Sequence, residues 1–159
     1  MEYFVIAIFL VGVIEFFISN WWSITYFKYG IPVYLRHFIL DEQAKTDIDD
    51  EKLKEASKSS VLLFLSPPVF EKFDEGQWTF CQPYNRGMIH GKLVLEKDKP
   101  SGALIGYIQW WIILLIITTV SISIKQKDPS FPVYPLSALL LYYFLEKKMY
   151  DKFTDYLSK

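Results

Sequence analysis

Cysteine is almost missing from this chain: Cys81 is the only thiol in 159 residues, so no internal disulfide forms and no thiolate cluster can hold a metal. Histidine is nearly as scarce. His37 and His90 are the only two, and with Asp41 and Glu42 nearby they still make no ligand spacing and no nucleophile, base and orienter set. Charge of one sign is also lacking, since 17 Lys and Arg face 18 Asp and Glu, and the stretch from Lys28 to Pro100 holds 11 basic and 12 acidic residues. That balance excludes a surface built to follow nucleic-acid phosphates. Glycine-rich phosphate loops, paired catalytic carboxylates and nucleophile elbows are absent, and neither Asn20 nor Asn85 begins a glycosylation sequon. The sequence therefore assigns no catalytic residue, no metal and no cofactor.

Apolar residues make up 52% of the chain and aromatics 18%. Two uncharged or nearly uncharged runs carry much of this: Tyr3 to Asn20, broken only by Glu15, and Ser101 to Ile124, with 24 residues and no charge. About 20 apolar residues span a bilayer core. The reading that follows is an α+β membrane protein with two transmembrane helices flanking a small, mostly β domain and a C-terminal amphipathic helix. Its boundaries are 1–22 for the first span, 23–102 for the domain, 103–124 for the second span, and 125–159 for a Pro-rich linker and helix. Glu2 stands where a secretory signal would be basic, and no small-x-small site follows, so the first run reads as a retained anchor.

Trp and Tyr favour the headgroup level, which makes Trp21, Trp22, Tyr107, Trp110 and Trp111 candidate membrane-interface anchors, all at the ends joined by the central segment. Lys28, Arg36, Arg86, Lys92, Lys97 and Lys99 outnumber Lys125 and Lys127. This bias puts residues 28–100 in the cytoplasm and the N-terminus outside, in a plasma or bacterial inner membrane. Glu15 sits about 9 Å inside Trp21 along a helix. Antiparallel spans would bring it level with Thr118 and Thr119, whose hydroxyls are its expected hydrogen-bond partners.

Between the runs, IPVYLRHFIL over 31–40 alternates with period two and reads as a strand, with Ile31, Val33, Leu35, His37 and Ile39 on one face. Thr46 to Ser60 reads as a short polar helix with a loose capping box over Thr46 to Asp49. Val61 to Leu65 reads as a buried strand, and Trp78–Tyr84 with Met88–Glu96 as a hairpin around Asn85-Arg86-Gly87. A turn over Lys97 to Gly102 leaves two readings open for Ala103 to Ile108: top of the second span, or a further strand. After Pro129, Pro132 and Pro135, a helix should run with Leu139, Tyr142, Leu145, Met149, Phe153 and Tyr156 on one face.

Three functional readings stay open at this point. The first is a non-catalytic accessory or scaffold subunit of a membrane complex, docking other subunits, or itself, through the sheet domain and C-terminal helix. The second is a lipid-binding or envelope-maintenance module, and the third a small transporter or enzyme using Glu15. The expected partners are the lipid bilayer and other membrane subunits or a second copy, with no nucleic acid.

Overall fold

The computed structural model describes residues 6, 10–14, 17, 30–40, 48–61, 65–83, 88–97, 99–127, 130 and 132–158. Five antiparallel strands form one sheet in the order β1-β5-β4-β3-β2. They are β1 Ile31–Ile39, β2 Val69–Asp74, β3 Gln77–Cys81, β4 Ile89–Leu95 and β5 Ser101–Ile108. Among the described residues three helices have both ends defined, α1 Asp50–Ser60, between β1 and β2, then α2 Trp110–Gln126 and α3 Val133–Leu157 after the last strand, and residues 10–14 are also helical.

The strands β2 to β5 make a meander. Gly76, at a φ of 68°, closes the β2–β3 turn in the left-handed region that glycine enters without a Cβ penalty. Register places Tyr34 and Phe38 of β1, Leu104 of β5, Ile89 and Leu93 of β4 and Phe80 of β3 on one face. All are buried. Helices α1 and α3 cover this face. Leu53 and Ala56 come from α1 and Met149, Tyr150, Phe153 and Leu157 from the second half of α3, all in the same hydrophobic cluster. Its aromatic centre has Tyr150 at 5.0 Å from Phe80 and 5.9 Å from Tyr34, and Phe153 stacked on Phe70 at 4.7 Å. Offset and tilted rings at such separations are the favourable geometry for aromatic pairs.

The membrane reading does not survive this architecture. Among the described residues no helix is long and apolar enough to cross a membrane. The uncharged run that suggested a second span is divided by the fold. Ser101–Ile108 enters the sheet as β5, held between β1 and β4, and the helix starts only at Trp110. A central strand needs apolar or small residues on both faces, so it reads like the top of a membrane helix. The 17 residues left in α2 make about 26 Å of helix, shorter than a bilayer core of about 30 Å. The two-span fold class, the integral membrane location and the placing of 28–100 inside and the N-terminus outside are corrected accordingly. Most of the first run, Glu15 included, lies outside the described residues.

Smaller differences have local causes. The cap of α1 is Asp49, whose carboxylate accepts from the Lys52 backbone N–H at 2.8 Å, so the helix starts three residues beyond the Thr46 reading. Residues 62–64, the middle of the expected buried strand, lie outside the described residues. Strand β2 was not expected from the sequence because Glu71, Lys72 and Asp74 interrupt its alternation.

Gly91 and Gly106 are directly paired across β4 and β5, where the strands approach closely. A Cβ on Gly91 would stand 1.9 Å from the Ile105 carbonyl oxygen, a backbone atom that cannot swing away. Gly91→Ala should therefore cost stability at or beyond the upper end of the roughly 1–3 kcal/mol typical of overpacking, as measured by urea unfolding. Gly12→Ala, where a Cβ meets nothing within 4 Å, is the comparison that should leave stability intact.

Candidate functional site

Helix α3 changes character half-way along. From Val133 to Leu145 it has no charged side chain; from Glu146 onward it alternates charged and buried positions. Its core-facing residues are Glu146, Met149, Tyr150, Phe153, Thr154 and Leu157, a three- and four-residue spacing that makes one stripe. Glu146 begins that stripe, so the helix delivers a carboxylate to the core.

The carboxylate is fully buried and surrounded by donors. Oε1 accepts from Gln82 Nε2 at 2.7 Å and from the Met88 N–H at 2.9 Å. Oε2 accepts from the Met88 N–H at 3.0 Å and the Ile89 N–H at 3.0 Å. Gln82 follows β3 and Met88 and Ile89 open β4, so one side chain of α3 ties together both ends of the β3–β4 connection. No basic side chain bonds it among the described residues. Burial pushes the Glu146 carboxyl up to about 8, against the opposing pull of the Met88 and Ile89 N–H bonds.

Neighbouring groups follow the same rule. Burial, aided by Glu146, pushes the Tyr142 hydroxyl up to about 12 and holds Tyr150 well above its ordinary range. The Tyr150 hydroxyl donates to the Ile89 carbonyl at 3.3 Å. Desolvation pushes the Cys81 thiol up to about 11, which keeps it protonated and a poor nucleophile.

A second polar contact holds the same helix to the edge of the sheet. Arg36 of β1 donates through Nη1 to Asp151 and through Nη2 to Asp155, both at 2.5 Å, and the Tyr34 hydroxyl donates to Asp151 at 3.0 Å. The Asp151 hydrogen bond and the nearby carboxylates hold the guanidinium above its ordinary value, while desolvation opposes them. The Tyr143 hydroxyl donates to the Val33 carbonyl at 2.8 Å, at the point where the β1–β5 register shifts.

The residues singled out from sequence fall in several places. Glu15, Trp21 and Trp22 lie outside the described residues. Tyr107 is buried in β5, opposite His90 of β4, with the rings 6.1 Å apart. Trp110 is half exposed at the start of α2, and Trp111 donates from Nε1 to Gln109 beside it. Thr118 and Thr119 are both buried, and the Thr119 hydroxyl donates back to the Leu115 carbonyl at 2.8 Å within its own helix. The sequence counts Glu146 with Lys147, Lys148, Asp151 and Lys152 as charges interleaved with the apolar stripe, whereas the structure places it on the core stripe with Met149, Tyr150 and Phe153.

Chemically, the Glu146 contacts are acceptor bonds that tie α3 to the β3–β4 connection. Among the open grooves lined by described residues, two are of about 380 Å³ each: one includes Lys54, Pro68 and Phe70 in its walls, the other Lys72, Trp78 and Leu95. Neither touches Glu146. Among the described residues, no group of three or more His, Cys, Asp or Glu side chains could hold a metal ion. No family model, no curated protein and no solved structure matches this chain.

The pH behaviour follows from the sign of the Glu146 shift. Its folded-state value, about 8, lies above the unfolded value of 4.5, so the folded state holds the proton more tightly. The stability it contributes is fully present below about pH 4.5 and is lost as pH rises through about 8. Thermal unfolding between pH 5 and 8 should therefore show stability falling with pH, and Glu146→Gln should flatten that slope. Glu146→Leu strips the acceptor from three buried N–H donors and should cost about 3 kcal/mol or more at pH 5 in urea unfolding.

Proposed function

We propose that this chain is a non-catalytic accessory subunit that docks another protein through the uncharged half of α3. The observation that carries the reading is the contrast within that helix. Its second half is seated on the sheet, whereas along the first half Leu140, Leu141 and Phe144 are more than half exposed and Tyr134 is 82% exposed. Leu140 and Phe144 lie one turn apart, with Leu141 beside them, so the three form one continuous apolar patch. Monomeric proteins scatter exposed leucines singly; a contiguous stripe marks a contact surface.

The occupant that fits is an apolar helix of a partner subunit, lying along α3. The stripe has helical spacing, it carries no charge over 13 residues from Val133 to Leu145, and side chains at one and four residues interdigitate with the ridges of a second helix. Glu146 and the Arg36 contacts anchor the far half of α3, and so hold the free half rigid for docking.

The test uses the full chain and two variants, Leu141→Asp and Phe144→Asp. Both positions are solvent-facing, so unfolding free energy should change by no more than about 0.5 kcal/mol. A partner recovered in fixed stoichiometry with the unaltered chain should be lost, or bound at least tenfold more weakly in titration, with either variant. Equal recovery with all three chains would refute the proposal.

A further inference from the structure

The two edges of the sheet are treated differently. Strand β2, at one edge, is six residues long, carries Glu71, Lys72 and Asp74, and breaks register between Lys72 and Asp74. Charge, brevity and bulging are the usual devices that keep an edge from pairing with another chain. Strand β1, at the other edge, has nine residues, with Pro32 and the register shift at Val33 at its start and a single charge, Arg36, which is turned inward and held by Asp151 and Asp155. Beyond them, Leu35 is 59% and Ile39 75% exposed.

Hydrogen-bond alternation identifies which backbone groups are open. The Leu40 N–H donates to the Pro100 carbonyl at 2.8 Å, and the ladder keeps one register from Ile39↔Ser101 to Tyr34↔Gly106. In an antiparallel ladder every second residue turns both its N–H and its C=O to the same neighbour. Phe38, Arg36 and Tyr34 therefore face β5, and the groups of Leu35, His37 and Ile39 face outward. Among the described residues nothing bonds to them.

From this we infer that β1 pairs antiparallel with β1 of a second copy of this chain, the two-fold axis passing through His37. Elimination selects the register, since a centre on Phe38 would pair only His37 with Ile39 and leave Leu35 unmatched among the described residues. Centred on Leu35, the pairing would need Val33, whose carbonyl already accepts from Tyr143 at the bulge. Centred on Arg36, it would set two guanidiniums directly opposite each other, a like-charge pair that destabilises a sheet. Centred on His37, every open group finds its mate. Leu35 pairs with Ile39 of the second copy, Ile39 with its Leu35, and His37 with its own counterpart, giving six backbone hydrogen bonds and two aliphatic cross-strand pairs.

Arg36 then stands opposite a phenylalanine, and its charge stays with Asp151 and Asp155 of its own chain. A net charge of −1 raises no long-range barrier to self-association. A contact of three residue pairs buries less than the roughly 1,000 Å² of a stable interface, so the dimer is weak. The edge is distinct from the α3 stripe, and either contact exists without the other.

Sedimentation velocity of the full chain from about 1 to 500 μM tests this, with mass rising from one copy to two. His37→Pro removes only the outward N–H, since His37 donates nothing to β5, and proline is tolerated on an edge strand that turns its N–H to solvent. That variant should stay folded and lose at least tenfold in association. If it unfolds, His37→Lys serves instead: it keeps the N–H but opposes two ammonium groups at the axis, with the same loss expected. In a Cys81→Ser background, His37→Cys should form a covalent dimer under mild oxidation, because directly paired Cα atoms lie near 5.5 Å, within disulfide range. A mass of one copy throughout, as expected if β1 instead awaits a strand from another protein, overturns the inference. So does association that survives His37→Pro or His37→Lys, or a self-associating His37→Cys chain that does not cross-link.

Discussion

The seating of α3 on the sheet centres on one buried carboxyl group. Glu146 lies where α3 passes from its free half to its seated half, and it gathers the Gln82 amide and two successive backbone N–H groups. Taking a carboxyl out of water is costly, and here the cost is offset by donors that would themselves be stranded without it. The aromatic contacts of Tyr150 and Phe153 add area and shape. The carboxylate adds position, because hydrogen bonds to two adjacent backbone groups fix both where the helix crosses and how it is rotated. Arg36, clasping Asp151 and Asp155 one and two turns later, sets its direction over β1. Those groups are about one-third exposed or more, so the pair orients the helix and contributes little net stability.

The surfaces this arrangement leaves open are of two kinds. Along α3 the open surface is made of side chains and suits another helix. Along β1 it is made of backbone and suits another strand. The contrast with β2 matters here, since three charges line that short edge, whereas β1 beyond its bulge carries only Arg36, held by its own helix. Both open surfaces border α3: Tyr143, in its free half, bonds the bulge carbonyl at which the unprotected part of β1 begins.

Much of the fold could be read from local pattern, and the rest was hidden for physical reasons. The alternation of 31–40 gives β1, the turn residues around Gly76 and Asn85 give the limits of β3 and β4, and the three- and four-residue spacing of 139–156 gives α3. What periodicity does not carry is how a residue is covered. An apolar strand in the middle of a sheet and an apolar helix in lipid satisfy the same composition, so Ser101–Ile108 misled, and the membrane reading failed with it. Of the alternating set, Leu35, His37 and Ile39 lie on the outward face of β1, with Tyr34 and Phe38 inside, while the register shift at Val33 puts Ile31 out of step with them. Glu146 was visible in the spacing but disguised by its chemistry, since a charged residue in a charged stretch reads as solvated.

The path of the chain through this structure has a consequence for how it is made. Tyr34 and Asp151 are separated by 117 positions, and the aromatic centre joins β1 and β3 to α3, which lies C-terminal to all five strands. The inner face of the sheet therefore has no cover from α3 until that helix has left the ribosome. Until then Phe80, Leu93 and Leu104 form an apolar sheet surface in water, and folding waits on contacts of long sequence separation, which form slowly. Closure of this core waits on α3, and until that helix is made the nascent chain passes through a stage in which holdase chaperones have a surface to bind.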